Sequence, residues 1–236
     1  MGKAVTKKKS QQLATIDESM LLADAGAGSE EMDQQDLMIP RLSILQSMSP
    51  QVNKRDGQYV EGAEAGDIFN TVSRTVVQGD KGILAVPIKY RRALIEWKPR
   101  SRDGNEIVTT AEYYIFIING SYEPALLSMA GSQLKKARRW NSMTNQLKLM
   151  KPDGSGFFNP AMFYSGYQLT TVPEENDKGN WYGWDIEMLH GENGGIIKNI
   201  DNGSDIYMAA RSFKETIQKG SIKTAPHETP TEEEAF

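Results

Sequence analysis

Asn119-Gly120, set between the apolar runs Tyr113 to Ile118 and Ser121 to Met129, constrains the fold of this chain more than any other feature. Both residues tolerate the positive φ that a tight hairpin turn demands, so the pattern predicts an antiparallel hairpin in mid-chain. Short apolar runs recur around it. Asp67 to Val72, Ile83 to Ile88 and Ala93 to Trp97 read as strands, with Gly79-Asp80-Lys81-Gly82 as a turn and Arg91 and Arg92 at a bend or bulge. Leu37 to Met48 reads as a strand or short helix, and Pro40 argues for an edge position. Met162 to Val172 and Trp181 to Leu189 predict a second hairpin around the polar loop Pro173 to Asn180.

Two helices interrupt this β pattern. Gly131-Ser132 introduces the first, in which Trp140, Met143, Leu147 and Met150 follow helical spacing and Pro152-Asp153-Gly154 ends the run. Lys135, Arg138 and Arg139 fall on another side of that wheel. The second runs from Ser204, as N-cap, to Gln218, with Ile206, Ala209, Ala210, Phe213 and Ile217 on one face. The fold class expected is mainly β, an OB-like five-stranded barrel with added hairpins, one inserted helix and one C-terminal helix. A chain of 236 residues holds one such domain with tails. Residues 1–36 have few large apolar side chains and read as a disordered extension. Residues 37–219 form the OB-like domain, and 220–236, rich in Pro, Thr and Glu, a disordered acidic tail.

Composition removes several functions. Without cysteine there are no disulfides and no thiolate metal sites. No apolar run approaches the ~20 residues that span a bilayer, and no apolar segment follows Lys7-Lys8-Lys9 to make a secretory signal. His190 and His227 are the only histidines, and no phosphate-binding loop, nucleophile elbow or metalloprotease motif occurs. Asp185 and Glu187 could hold a metal as a same-face strand pair, but such pairs are more often surface acids. We therefore expect no enzyme activity, no metal and no cofactor.

Charge is the main functional signal. The chain carries 27 Lys and Arg against 31 Asp and Glu, a net charge of −4. Twelve of the basic residues nevertheless crowd into two windows, Lys89 to Arg102 and Lys135 to Lys151, which hold one acid (Glu96) between them. Cations neutralise phosphates and aromatic faces stack on bases, so basic segments with aromatics among them suit a single-stranded nucleic acid. The phosphate set is Lys89, Arg91, Arg92, Lys98, Arg100, Arg102, Lys135, Lys136, Arg138 and Arg139. The stacking set is Tyr90 and Trp97, with one or two of Tyr164, Tyr167, Trp181 and Trp184. A charged edge strand and core packing of Trp140 are the plain alternatives for parts of these windows. No acid lies at i±3 or i±4 from the helical cations, whereas a merely solvated helix face interleaves both signs. Of Phe157, Phe158, Phe163, Tyr164, Tyr167, Trp181, Tyr182 and Trp184, most belong to the core on this reading, although alternation can turn about half to the groove, and one of Trp181 and Tyr182 is exposed. Glu232, Glu233, Glu234 and Phe236 close the chain as an acidic tip with an aromatic end, suited to a partner's basic-rimmed pocket.

These features resemble the single-stranded DNA-binding proteins of T7-like and related tailed phages. The likeness rests on the hairpin pattern of roughly residues 37 to 215, the basic-aromatic segments and the tail Glu232-Glu233-Glu234-Ala235-Phe236. The segments Gly66-Asp67-Ile68-Phe69-Asn70-Thr71-Val72 and Gln133-Leu134-Lys135-Lys136-Ala137-Arg138-Arg139-Trp140-Asn141 are similar to those of uncharacterised phage proteins placed in that group. The resemblance implies a replication and recombination protein in the cytoplasm of the infected bacterial host. It would coat single-stranded DNA, melt hairpins and promote annealing. Its tail would recruit a polymerase or helicase-primase and compete with DNA for the protein's own groove, and homodimerisation is left open. Two rivals remain: a virion-associated or protein-interaction β-domain without nucleic-acid binding, and a nuclease accessory using Asp185 and Glu187.

Overall fold

The computed structural model describes residues 36–97, 106–177, 179–189, 203–220 and 222–226, with scattered positions between 19 and 32. Strands and helices run in the order β1 (Met38–Ile39), β2 (Arg41–Ile44), β3 (Ile68–Asn70), β4 (Val76–Val77), β5 (Ile83–Trp97), β6 (Glu106–Ile118), β7 (Tyr122–Ala130), α1 (Leu134–Gln146), β8 (Leu149–Met150), β9 (Phe157–Phe158), β10 (Tyr167–Asn176), β11 (Gly179–Met188), α2 (Gly203–Gln218) and β12 (Lys223–Thr224). Eight strands form one curled sheet in the order β11-β10-β5-β6-β7-β2-β3-β4. The chain is thus mainly β and OB-like, with α1 inserted between strands and α2 near the C-terminus.

The Asn119-Gly120 turn joins β6 to β7 as the sequence requires, with Gly120 at φ +86°. Proline explains two departures from the sequence reading. Pro40 cannot donate to a ladder, and the chain breaks there into β1, which pairs in parallel with β12, and β2, which lies inside the sheet between β7 and β3 rather than at an edge. Pro173 stays within β10 because its ring nitrogen needs no partner where it faces Tyr182; the pairing of the second hairpin therefore runs on to Asn176 opposite Gly179, and Pro173 to Asn176 is strand rather than loop.

Both ends of the sheet curl toward each other, and side chains and loops close the gap. The Gln46 amide imitates a strand neighbour: its Oε1 accepts from Tyr182 N (2.8 Å) and its Nε2 donates to Tyr182 O (3.0 Å). Gln133 Oε1 accepts from Trp184 N at 2.9 Å, so the free edge of β11 is occupied at alternate residues. Thr171 N donates to Gly79 O (2.9 Å) and its hydroxyl to Gly66 O (2.5 Å). A Cβ on Gly79 would collide with the Gly66 carbonyl and the Thr171 hydroxyl, which fixes glycine at this crossing.

Nearly every strand of the sheet sends side chains into one interior: Leu42, Ile44, Ile68, Ala85, Tyr113, Ile115, Leu127, Tyr167, Leu169, Trp184 and Ile186, closed by Ala137 and Trp140 of α1. Each fully buried large apolar side chain here contributes about 1.5–3 kcal/mol over exposure. The outer face of β5–β6–β7 is covered by α2, where Ile206, Ala210, Phe213 and Ile217 meet Val86, Ile88, Phe116 and Leu126. This is the helical face expected from the sequence, although the helix opens at Gly203, so Ser204 lies in its first turn rather than capping it. The strand β12 falls in the stretch read as tail. It is held by Arg41, whose Nε donates to Ala225 O at 2.6 Å.

Candidate nucleic-acid interface

Alternation along β5 decides which way its charges point. A bulge between Pro87 and Lys89 resets the register, after which Tyr90 faces Tyr113 and Arg92 faces Ala111, both on the interior side with α1. Lys89 and Arg91 point to the opposite face, opposite Tyr114 and Glu112. The bulge thus precedes the Arg91-Arg92 pair rather than lying at it. Arg91 is committed: its Nε donates to Glu112 Oε2 at 2.5 Å and its guanidinium lies over the Tyr114 ring at 5.5 Å. The other oxygen of the buried Glu112 takes Arg41 Nη1 at 2.9 Å, giving an Arg–Glu–Arg network below the strand. Among the described residues Lys89 and the exposed Arg92 have no acidic partner. Trp97 ends β5, but its side chain, with Lys98, Arg100 and Arg102, lies outside the described residues.

The second window divides the same way. Lys136 Nζ meets Glu174 Oε1 at 2.9 Å, and Arg139 Nη1 stands 3.6 Å from Asp185 Oδ1. These acids lie on β10 and β11, so helical spacing could not reveal them, and the two cations are tied where the sequence left them free. Lys135 and Arg138 sit on the other flank of α1, exposed and without acidic partners among the described residues. Glu174 also accepts from Trp181 Nε1 (2.8 Å) and Gln133 Nε2 (3.0 Å). Burial alone would push its pKa up, but the hydrogen bonds, Lys136 first, outweigh that and hold it below the usual glutamate range. Asp185 is engaged with Arg139, and among the described residues no three acidic or imidazole groups cluster to hold a metal.

An aromatic ladder joins the two windows. Tyr90 packs 5.2 Å from Tyr113, which stacks on Trp140 at 4.3 Å, and Trp140 meets Tyr167 edge-on at 5.4 Å. The Tyr113 hydroxyl donates to Ala137 O (2.9 Å) and contacts Asn141 Oδ1 (3.0 Å), fixing α1 over the strand. Burial raises this phenol's pKa well above the ordinary tyrosine value. The basic strand and the basic helix, more than 40 residues apart in sequence, therefore share one side of the sheet.

Most expected stacking residues are structural. Tyr167 is fully buried with its hydroxyl on Thr144 (3.0 Å), Trp184 is interior, and Trp181 is buried with its indole nitrogen on Glu174. Tyr167 and Trp184 are spent on closing the interior of the curled sheet, and Trp181, on the opposite face of β11, is covered beside Glu174, so none of the three presents an open face to a base. Tyr182 is half-buried, so neither member of the Trp181-Tyr182 pair is exposed. Tyr90 and Tyr164 keep partly open rings. The tip residues Glu232, Glu233, Glu234 and Phe236 lie outside the described residues. Sequence reasoning missed the small β8–β9 hairpin. Helix α1 ends at Gln146 and Leu147 is extended (φ −67°, ψ 122°), so Leu147 and Met150 do not continue the helical stripe. Met150, Phe157 and Phe158 are exposed rather than core. Paired apolar residues flanking Pro152-Asp153-Gly154 were the available signal.

Fold and surface together define a β-rich, OB-like protein with an unpaired cationic flank. The sequence profile of the family described as Pam3 phage gp34-like protein matches residues 7–106 and 100–223, and the chain belongs to that bacteriophage family. No curated protein and no solved structure matches it. Among the described residues no helix is long and apolar enough to cross a membrane.

Proposed function

We propose that this chain is a sequence-tolerant single-stranded DNA-binding protein of phage replication and recombination, of the T7-like kind, acting in the host cytoplasm. One observation carries the reading: Arg92 on β5 and Lys135 and Arg138 on α1 share the α1 side of the sheet and lack acidic partners among the described residues, while Arg91, Lys136 and Arg139 are each paired. Unpaired, exposed cations on one side of an OB-like sheet suit a phosphate backbone, and Tyr90 on that side offers a partly open ring to a base, whereas Tyr164 lies near Tyr207 of α2 on the opposite face. The acidic tip recruits replication proteins, a polymerase or helicase-primase, and competes for the same cations when DNA is absent. The rival reading, a protein-interaction or virion-associated domain, draws on the exposed Leu94 and Ile107, diagonal neighbours on the far end of the β5–β6 ribbon.

The test titrates labelled oligo-dT with the wild type, with Arg92→Ala/Lys135→Ala/Arg138→Ala and with a chain lacking Thr231 to Phe236. The triple variant is expected to bind weakly at a salt concentration where the wild type saturates. The truncation is expected to bind more tightly at low salt and to lose its partner. Equal affinity of the triple variant and the wild type would remove the proposed surface.

A further inference from the structure

The most exposed aromatic ring among the described residues, Phe157 at 63% exposure, stands on the β8–β9 hairpin, where it adds almost nothing to the core. The ladder gives this hairpin two faces. Leu149 pairs with Phe158 on the more covered side, and Met150 pairs with Phe157 on the open side, both nearly two-thirds in water. Lys148 lies two residues before Met150 and shares that open side. Lys151 follows at the turn, and neither lysine has an acidic partner among the described residues. Asp153, the one acid between Leu147 and Pro160, is exposed at the turn, where its Oδ1 accepts from Ser155 N at 2.9 Å and it pairs with neither lysine.

The hairpin is also held in place. Lys151 N donates to Gly156 O (2.9 Å), and Gly154 N to Lys151 O (3.0 Å). Asn159 Nδ2 donates to Asn145 O at 2.6 Å, which ties β9 to the last turn of α1. The open ring thus sits at the C-terminal end of the helix that carries Lys135 and Arg138, about 15 Å further along the helix axis.

Resting on the function proposed above, we infer that Phe157, backed by Met150 and flanked by Lys148 and Lys151, is a base-stacking platform that continues the single-strand path beyond α1. A flat ring open on one side, with a cation on either flank, matches a base and its adjoining phosphates. The hairpin is tied to α1 through the Asn159 side chain rather than through Phe157, whose ring stays open to a ligand.

Oligo-dT affinity would be measured by anisotropy for the wild type and for Phe157→Ala, Phe157→Leu and Phe157→Trp, with melting curves as the folding control. Loss of one stacked base predicts a drop of about 5- to 150-fold for Ala and Leu, near-normal binding for Trp and an unchanged salt slope. Lys148→Ala/Lys151→Ala is expected to lower the slope instead. Wild-type affinity in Phe157→Ala would overturn the platform while leaving the proposed function standing, and would make the hairpin a protein contact. Retention by Leu but not Ala would replace stacking with simple apolar contact and overturn it too. A wild type that binds no oligonucleotide, with or without its tail, would sink both readings.

Discussion

Glutamine at position 112 should cost this protein much of its stability, although the side chain barely changes shape. Glu112 is 1% exposed and holds two cations, Arg41 through Oε1 and Arg91 through Oε2. The two are unequal. Arg91 is nearly half in water and contributes no more than a surface pair, about 0–1 kcal/mol. Arg41 is 10% exposed, and its remaining bonds go to the neutral Ser128 hydroxyl and the Ala225 carbonyl. Without the carboxylate its charge is buried and uncompensated. Breaking one side of a buried pair costs about 3–5 kcal/mol, and because glutamine still offers Arg41 one acceptor oxygen we take the lower end, about 3 kcal/mol. In a chain of this size that lowers the melting temperature by about 6–12 °C. Thermal melts followed by circular dichroism would read it, beside Arg41→Met/Glu112→Leu. The double variant removes the charges together and loses chiefly the bond to Ala225, so it should melt above Glu112→Gln. A Glu112→Gln protein melting within about 2 °C of the wild type would refute the claim that this carboxylate compensates a buried charge.

The closure of the sheet gives a second prediction. Gly183→Ala puts a Cβ 2.5 Å from Gln133 Nε2 and 2.7 Å from Glu174 Cδ, displacing flexible side-chain ends at about 1–3 kcal/mol. Gly79→Ala strikes a backbone carbonyl that cannot swing away, so urea midpoints should fall further for Gly79→Ala than for Gly183→Ala. Glu174, with its folded pKa depressed, supplies stability that is fully present above the unfolded glutamate value of about 4.3 and is lost as pH falls through the lower folded value. The stability gap between wild type and Glu174→Gln should therefore be widest near neutrality and shrink below about pH 4.3; a gap that is constant with pH would contradict this. Tyr113→Phe should cost about 0.5–1.5 kcal/mol, since the hydroxyl's bond to Ala137 O is lost while that carbonyl keeps its helical donor, and an unchanged urea midpoint would show that the hydroxyl does not hold α1.

Local chemistry made much of the fold legible. The Asn119-Gly120 turn, the apolar run Tyr113 to Ile118 of β6 and the apolar face of α2 are each decided by neighbouring residues, and each was readable. Cross-sheet pairing was not. Lys136 and Arg139 look free on a helical wheel because Glu174 and Asp185 arrive from a hairpin some 35 to 50 residues away. Tyr167 and Trp184 look available because alternation marks two faces without saying which one the sheet curls over, and Trp181 because the Glu174 that covers it arrives across the hairpin. Phe157 was missed for the converse reason: an apolar pair beside a turn reads as core, whereas here it belongs to a hairpin of two-residue strands that leaves its ring in water.

The central claim is that the unpaired cations on the α1 side hold the backbone of single-stranded DNA. Anisotropy titrations of labelled oligo-dT and the matching duplex, repeated across salt concentrations, test it most directly. With Arg92, Lys135 and Arg138 each contacting a phosphate, log affinity for the single strand should fall by about 2 or more per decade of salt, with the duplex bound far more weakly. Equal binding of the two forms, or an affinity that does not respond to salt, would contradict the account.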